Sequence, residues 1–446
     1  MVDKWREVKL GEIAEIYDGP HATPKKTESG PIFLGISNLS RGLLDLSNTE
    51  HISENDFHRW TRRVEPEEGD VVFSYETRLG EAARISHGLR CCLGRRMGLL
   101  RARVDLVDPR FLLYAYLDPD FQDTLYSLTV HGSTVDRIPL INMPHFPIVI
   151  PGNIQEQRRI AHILGTLDDK IENNRKTAKT LEAMAQAIFQ SWFVDFDPVR
   201  AKMAGESPES ICKRLKLTPE ILDLFPDRLV DSELGEIPDG WVISSFLDVC
   251  DLKGGAQPPA STFVDEPLEG YVRLLQIRDF STDSHMTYVK NSSRLKCVTE
   301  DDILIGRYGS ASGDKQKDSL GRVCRGLSGA YNVALMKLEP KSIGSEFAFQ
   351  VVSSNSFYDY LQGASSKAVQ AGFSKSEISN LQIVLPPRNI LDHYELLGTI
   401  FWKETKHISK FQNYLSKTRD TLLPKLISGE IRVLDEHIIE NDEAYL

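Results

Sequence analysis

The chain repeats its own pattern at a distance of 236 residues. Trp5 matches Trp241, Gly19 matches Gly255, and the Pro-Gly-Asn-Ile run at 151–154 matches Pro-Arg-Asn-Ile at 387–390. Solenoid repeats are roughly 20–50 residues long, so this period is too long for a solenoid. It predicts a duplicated pair of one globular module and one helix. Two similar modules on a spacer suit a protein that holds two sites on a long partner.

Each half ends in a long heptad-patterned segment, from near Ile154 to before Pro198 and from near Asn389 to about Pro424. The seams alternate steps of four and three: Ile160, Leu164, Leu167, Ile171, Asn174, Ala178, Leu181, Ala185, Ile188 and Trp192, then Ile390, Tyr394, Leu397, Phe401, Glu404, Ile408, Phe411, Leu415, Thr418 and Leu422. A sustained 3.5-residue period predicts coiled-coil helices, and polar residues within a seam commonly fix register and partner.

The 446 residues exceed the roughly 250–300 at which single cores stop growing, so we expect several domains. The fold class is α+β, with two similar modules, each followed by a long helix, and the helices paired as an antiparallel coiled coil. A homodimer, or helices lying on their own modules, are the competing arrangements. The predicted segments are modules at 1–152 and 239–387, long helices at 153–197 and 388–428, a linker at 198–238 with a helix over 209–224, and an acidic tail at 429–446.

Short apolar runs bounded by Gly, Pro and Asp predict strands within both modules. They lie at 32–34, 71–73 and 148–150 in the first module and at 303–305 and 381–385 in the second. Helices are expected over 110–128 and 346–361. The second module thus repeats the plan of the first.

Composition places the chain among ordinary globular proteins, with 41% hydrophobic and 26% charged residues. No stretch approaches the ~20 apolar residues of a membrane span, and the first residues lack the apolar core of a signal peptide. The six cysteines show no metal-ligand spacing. We therefore expect reduced thiols and a cytoplasmic location.

The net charge of −11 does not exclude a polyanionic partner, because acidic residues concentrate between 195 and 240 and in the last dozen positions. The first module carries an arginine-rich stretch over 78–110, and the second a weaker basic run over 307–325. Local basic stretches of this kind are the usual footprint of nucleic-acid binding.

Candidate DNA-contacting residues lie in loops at matching positions of the two modules. Glycine permits close backbone approach, arginine presents a fork to guanine or phosphate, and tyrosine and serine add stacking and hydrogen bonds. The candidates are Lys25, Lys26, Arg62, Arg63, Tyr75, Arg78, Gln257, Arg307, Tyr308, Ser310, Ser312 and Lys315. A plain polar hairpin turn or solvated surface is the simpler interpretation of any one of them.

Catalytic motifs are lacking: the sequence has no phosphate loop, no methyltransferase signature and no HExxH. Asp239, Asp251 and Lys253 fit a loose Mg²⁺ nuclease pattern in which two carboxylates hold the metal and the lysine positions water. So degenerate a pattern arises often by chance. Residues 239–240 are more simply the turn that delivers Trp241 to the core.

Three segments resemble the specificity subunit of type I restriction–modification systems. The most specific runs from Gln155-Glu156-Gln157-Arg158-Arg159 through residues 167–172 to 192–199. The others are residues 232–241, which open the second half, and residues 423–430. The similarity extends over nearly the whole chain, although the second copy has Leu391-Asp392-His393 in place of Gln155-Glu156-Gln157.

The resemblance implies that each module is a target recognition domain reading one half of a bipartite, asymmetric DNA sequence. The heptad helices would set the spacer and dock two modification (methyltransferase) subunits, and restriction (motor/nuclease) subunits would join them. S-adenosylmethionine, ATP and Mg²⁺ are expected on those partners and no cofactor on this chain. Because Leu391-Asp392-His393 replaces Gln155-Glu156-Gln157 in the second helix, the two helices need not dock their partner subunits in the same way. A coiled-coil adaptor for proteins alone is a further alternative.

Overall fold

The computed structural model describes residues 5–132, 135–282, 285–310, 312–315, 317–365 and 372–433. They fold into two compact units: unit 1 comprises residues 1–175 and 410–446, and unit 2 comprises residues 176–409. Each unit contains one module, part of the long helix that follows this module, and part of the other long helix.

Unit 1 holds a four-stranded sheet whose spatial order is Ala14–Asp18, Met97–Ala102, Val71–Ser74 and Ala82–Arg84. A three-stranded sheet consists of Glu50–Ile52, Lys26–Leu34 and Cys91–Leu93, and the two-stranded sheets pair Trp5–Lys9 with Pro147–Pro151 and Leu39–Ser40 with Leu43–Leu44. The helices of this module are Leu10–Ile13, Ile36–Asn38, Glu54–Trp60, Pro109–Leu117, Pro119–Ser127 and Met143–His145.

Unit 2 repeats the four-stranded order with Cys250–Gly254, Leu335–Pro340, Ile303–Gly306 and Val323–Cys324. A second sheet has the order Tyr288–Lys290, Tyr271–Leu275, Gly329–Tyr331 and Cys297–Val298, and Val242–Ser245 pairs with Gln382–Leu385. The helices of this module are Phe246–Val249, Ala260–Thr262, Ile277–Phe280, Ser345–Ser353, Asn355–Ser365 and Lys375–Ile378. The predicted strands fall on observed strands in both modules.

The two long helices are Ile154–Phe193 and Arg388–Ile427, 40 residues each. The first agrees with its predicted bounds. The second also agrees with its predicted bounds of 388–428, and it continues three residues beyond Pro424, near which its heptad pattern ends. A proline costs an interior helix one hydrogen bond, but here Leu426 and Ile427 are buried in the core of unit 1 and offset that loss.

Each predicted module helix is in fact a pair of helices. In unit 1 the break falls at Asp118, which takes an extended conformation because Pro119 follows it. In unit 2 the break falls at Ser354, which is also extended. The sequence indicated helical content at these places but not the break.

Residues 198–238, predicted as a linker, form an ordered part of unit 2. Helices Asp197–Met203, Pro208–Leu215 and Pro219–Leu222 are followed by the hairpin Leu229–Ser232 and Gly235–Pro238. The helix expected over 209–224 is interrupted at Lys216, whose φ is +58°. Ile211 and Phe225 are buried in the unit 2 core, so this segment contributes packing as well as connection.

The repeated tryptophans explain part of the duplication. Trp5 lies against the end of the second long helix, where its indole N–H donates to the carbonyl of Ile427 and its ring occupies the space beside Gly429. Trp241 lies against the end of the first long helix, with its ring 6.0 Å from Phe193 and 5.5 Å from Phe196. In each unit, the first strand of the module therefore meets the end of the helix contributed by the other half.

The acidic tail predicted from residue 429 is described only to Val433, which packs against the core of unit 1. Its acidic residues Asp435, Glu436, Glu440, Asp442 and Glu443 lie outside the described residues.

Candidate nucleic-acid interface

Two stretches that the sequence singled out separately meet at one cavity in unit 1. The loop after strand Ala14–Asp18 and the end of helix Glu54–Trp60 enclose about 280 Å³, which we call the unit 1 cavity. Its lining consists of Asp18, Gly19, Pro20, His21, Ala22, Arg59, Trp60, Arg62, Arg63, Val64 and Leu93. The lining includes three arginines and a histidine but only one carboxylate, so the cavity favours an anionic or acceptor-rich ligand.

Gly19 fixes the loop close to the sheet. Its N–H donates to the carbonyl of Met97 at 2.9 Å, and a Cβ at this position would lie 2.5 Å from the same oxygen. Gly255, its counterpart in unit 2, would bring a Cβ into the carbonyls of Tyr331 and Asn332. The repeated glycine is required by this close approach of backbone to backbone.

Asp18 organises the basic side chains of the cavity. Its Oδ2 accepts from Arg63 Nη1 at 3.3 Å and lies 2.7 Å from His21 Nε2. The same Nη1 donates to the carbonyl of Gly19 at 3.0 Å. Burial, followed by the neighbouring Asp18 carboxylate, raises the pKa of Tyr75, so its hydroxyl stays protonated beside Asp18.

The other candidates in unit 1 have different surroundings. Lys25 is exposed, and Lys26 pairs with Glu50 across two strands. Arg78 pairs with Glu81 at 2.9 Å and donates to the carbonyl of Ile36 at 3.4 Å. Tyr75 is only 5% exposed, so it lies inside the module and does not face solvent.

Unit 2 presents Arg307 and Tyr308 together on the loop after strand Ile303–Gly306. The Arg307 guanidinium lies 4.7 Å over the Tyr308 ring, and its Nε donates to the carbonyl of Phe373 at 3.0 Å. Both side chains are half-buried, and Gln257 on the neighbouring loop is exposed. The arrangement leaves part of a stacked guanidinium available to a ligand.

Asp318 organises the rest of this loop. Its carboxylate accepts from the Ser312 N–H and hydroxyl, both at 2.7 Å, and from the Tyr358 hydroxyl at 2.6 Å. Burial alone would raise the pKa of Asp318, but the hydrogen bonds from Tyr358, Ser312 and Gly313 outweigh it and lower the pKa to about 2. Ser312 is therefore occupied within the loop, and sequence analysis had not identified Asp318.

Two further candidates of this loop also have internal partners. Lys315 donates to the carbonyl of Ser353 at 2.6 Å and to Asn355 at 2.9 Å, and burial lowers its pKa. Ser310 accepts from the N–H of Ser319 at 3.0 Å. Ala311 of the predicted loop lies outside the described residues.

In unit 1 the long helices meet through a buried ion pair. Arg419 Nη1 lies 2.7 Å from Asp168 Oδ1, and the Tyr114 hydroxyl donates to Asp168 Oδ2 at 2.6 Å. Gln412 of the second helix donates to the carbonyl of Ile171 of the first at 3.0 Å. The seam residues have mixed burial here: Ile160, Leu164, Ile171, Asn174 and Leu415 are buried, Leu167 is half-buried and Phe411 is 40% exposed.

In unit 2 the long helices meet through an aromatic cluster. Phe193 lies 5.1 Å from Tyr394 and 5.0 Å from Phe347, and the Tyr394 hydroxyl donates to the carbonyl of Ala185 at 3.2 Å. The predicted seam residues Leu181, Ile188, Leu397, Phe401 and Ile408 are half-buried. The heptad pattern located the contacting helices, but it did not identify Asp168, Arg419 or the buried Thr405 as contact residues.

The Gln155-Glu156-Gln157 segment acts inside its own unit. Gln157 is fully buried: Oε1 accepts from the N–H of Asp108 at 2.9 Å, and Nε2 donates to the carbonyl of Pro151 at 2.9 Å. In unit 2 the corresponding support comes from Glu395, whose carboxylate accepts from the N–H of Phe347 at 2.7 Å. The two long helices thus anchor the corresponding helices Pro109–Leu117 and Ser345–Ser353 through different residues, which is consistent with the different sequence at 391–393.

The three residues of the nuclease alternative each pair with a different residue of opposite charge. Asp239 pairs with Arg228 at 2.6 Å, Asp251 pairs with Lys375, and Lys253 pairs with Glu339. Across the part of the chain that the structure describes, no group of three or more His, Cys, Asp or Glu side chains could hold a metal ion. The described helices also include none with the length and apolarity needed to cross a membrane.

Comparison with known proteins finds similarity to one family. The profile described as "Type I restriction modification DNA specificity domain" matches residues 2–183. The HindI specificity subunit of Haemophilus influenzae is 24% identical over 380 residues, covering 75% of this chain and 80% of the relative. The MjaIX specificity subunit of Methanocaldococcus jannaschii is 23% identical over 404 residues, covering 87% and 85%.

These matches make most of the chain similar to type I restriction–modification specificity subunits. Its fold is also similar to that of the type I restriction–modification S subunit from M. genitalium, with a TM-score of 0.52 and 15% identity over 95% of this chain and 96% of the other. At that identity, the likeness concerns the fold of the family.

Proposed function

We propose that this subunit selects the DNA target of a type I restriction–modification complex, with each module reading one half of a bipartite, asymmetric sequence. The observation that carries the proposal is the unit 1 cavity, where three arginines of residues 59–63 meet the loop that begins at Asp18. The basic loop around Arg307 in unit 2 supports it. Lysines and arginines supply affinity through phosphates, while contacts to base edges supply specificity.

The two modules should read different half-sites. Unit 1 offers a cavity with three arginines, whereas unit 2 offers one stacked arginine on a loop organised by Asp318. Because side chains of different identity and geometry face the DNA, a palindromic target is not expected.

The long helices form the spacer as an antiparallel pair within one chain. In unit 1 the early part of the first helix contacts the late part of the second, through Asp168 and Arg419. In unit 2 the late part of the first contacts the early part of the second, through Ala185 and Tyr394. These contacts favour intramolecular pairing over a homodimer.

The chemistry belongs to partner subunits. Two modification subunits would dock along the helices and supply S-adenosylmethionine-dependent adenine methylation, and restriction subunits would supply ATP-driven cleavage with Mg²⁺. The subunit described here would contribute recognition and no cofactor. Its cytoplasmic location stays a prediction from the sequence.

The proposal is tested by co-expressing the full chain with the modification subunit of the same host and sequencing the methylated positions. A single motif of two different half-sites separated by a fixed unspecified spacer is expected. Methylation without a motif, or DNA binding that does not weaken with salt, would instead favour a protein-only adaptor. Purified chain incubated with plasmid and Mg²⁺ tests the nuclease alternative, which requires cleavage abolished by Asp251→Ala.

The ruler role has its own test. Inserting four residues at matched heptad positions of both helices, after Ala178 and after Phe401, lengthens the pair by about one turn, roughly 6 Å. The preferred spacer should lengthen by about two base pairs with both half-sites unchanged. An unaltered spacer would rule out this role for the helices.

A further inference from the structure

The arginines of the unit 1 cavity differ in how they are held. Arg63 is fixed through one nitrogen, since Nη1 donates to Asp18 Oδ2 at 3.3 Å and to the Gly19 carbonyl at 3.0 Å. Its Nε and Nη2 have no partner among the residues that the structure describes. Arg59 and Arg62 line the same cavity, and within the described ranges neither makes a hydrogen bond or an ion pair.

The support of Arg63 continues into the module. Asp18 sits where its loop is pinned by Gly19, and the Tyr75 hydroxyl lies beside the Asp18 carboxylate. Both the Tyr75 hydroxyl and Asp18 Oδ1 are buried, and neither makes a hydrogen bond within the described part of the chain. A guanidinium held by a carboxylate and a backbone carbonyl is pre-organised, as geometric recognition requires.

We infer that Arg63 reads a base edge in the half-site of unit 1, while Arg62 and Arg59 contact phosphates. This inference rests on the proposed function and assigns separate roles within one cavity. The two free nitrogens of a fixed, planar guanidinium match the adjacent O6 and N7 acceptors of guanine in the major groove. Arginines without protein partners suit the phosphates, which need charge but no fixed plane.

Matched lysine variants separate these roles. Lysine keeps the positive charge but cannot present two parallel donors, so Arg63→Lys should abolish recognition of one base pair while Arg62→Lys changes little. With the full chain in complex with its modification subunits, discrimination at that base pair should fall about 5- to 150-fold in Arg63→Lys. The other half-site, read by unit 2, reports in the same molecule that the variant is folded and assembled.

A second variant tests whether the orientation of Arg63 matters while the positive charge of Arg63 is kept. Asp18→Ala leaves Arg63 in place but removes its support, so specificity should relax at the same base pair while affinity for random DNA is kept or increased. Arg62→Ala should weaken specific and random DNA equally and reduce the salt slope by about one.

The outcomes decide between the assignments. If Arg63→Lys and Arg62→Lys both keep the full motif, or if Asp18→Ala keeps discrimination at every position, Arg63 is a phosphate contact and the inference is overturned. If wild type itself methylates without any motif, it is the proposed function that fails. Relaxation confined to one position of one half-site, in both Arg63→Lys and Asp18→Ala, supports the inference.

Discussion

Units 1 and 2 join the same two helices by different physical means. In unit 1 the contact depends on Asp168 and Arg419, whose side chains are 5% and 8% exposed, with Tyr114 completing the hydrogen bonds. In unit 2 it depends on the rings of Phe193, Tyr394 and Phe347. A buried ion pair tolerates few alternative registers, because each charge needs its partner, whereas packed rings supply stability with less positional demand.

The difference teaches that duplication preserved the scaffold but not its interactions. The strand order and the tryptophan at each helix end recur in both units. The polar groups that hold the helices and the loops do not. The repeat is therefore visible in the topology although the side-chain contacts of the two units differ.

The largest effect is expected from breaking the ion pair of unit 1. Arg419→Met leaves the Asp168 carboxylate buried without its cation and should cost about 4 kcal/mol of the free energy of unfolding. Hydrogen exchange should show the loss in unit 1 first. The double variant Asp168→Leu with Arg419→Met removes both charges and should recover most of the stability. If the double variant is as unstable as Arg419→Met, the loss does not come from the unpaired Asp168 carboxylate.

The second largest effect is expected in unit 2, where the stability of the helix contact depends on packed volume and not on charge. Phe193→Ala removes a ring from the aromatic cluster and should cost about 3 kcal/mol, since the cavity left behind closes only partly. The measurement is urea unfolding followed by exchange protection of residues in unit 2. Equal loss of protection in both units would contradict the idea that each contact stabilises its own unit.

A buried carboxylate of unit 2 should show a pH signature. Because hydrogen bonds lower the pKa of Asp318 to about 2, its charged form contributes stability above its ordinary value of 3.8, and this contribution is lost as pH falls toward 2. Asp318→Asn should therefore cost about 2 kcal/mol at pH 7, and the gap to wild type should narrow below pH 4. A gap independent of pH would assign the loss to shape alone.

A buried carboxyl of unit 1 should behave in the opposite way. Burial, and then the neighbouring Asp120, raise the pKa of Asp118 to about 6. Its neutral form is favoured by folding, so stability falls as pH rises from about 4 through 6. The free energy of unfolding of Asp118→Asn should exceed that of wild type by about 1 kcal/mol at pH 7. At pH 4 the two proteins should be equally stable. A variant that is less stable at both pH values would indicate that the charged carboxylate is needed as a helix cap.

The smallest effect concerns recognition by unit 2. Arg307→Ala removes a guanidinium stacked on Tyr308 and should alter only the half-site that Arg63→Lys leaves intact. The methylated motif of the co-expressed complex provides the measurement. Equal loss on specific and random DNA would make Arg307 a phosphate contact instead.

Local and periodic features were readable from the sequence. The 3.5-residue period located both long helices, and bounded apolar runs located strands such as Val71–Ser74 and Ile303–Gly306. Such patterns follow from which face of an element is buried and need no knowledge of distant residues. The packing of residues 198–238 depended on neighbours far along the chain and was missed. The helix break at Asp118 was also missed, although its cause, the following Pro119, is local.

The sequence by itself determined the duplication, the long helices and the positions of the basic stretches. Only the tertiary structure decided which basic side chains share a cavity, which of them is held in place, and which candidates are occupied internally. Arg63 meets Asp18 across 45 residues, and Arg419 meets Asp168 across 251. The sequence gives the charge of an arginine, but the orientation of its side chain depends on partners that only folding brings within hydrogen-bonding distance.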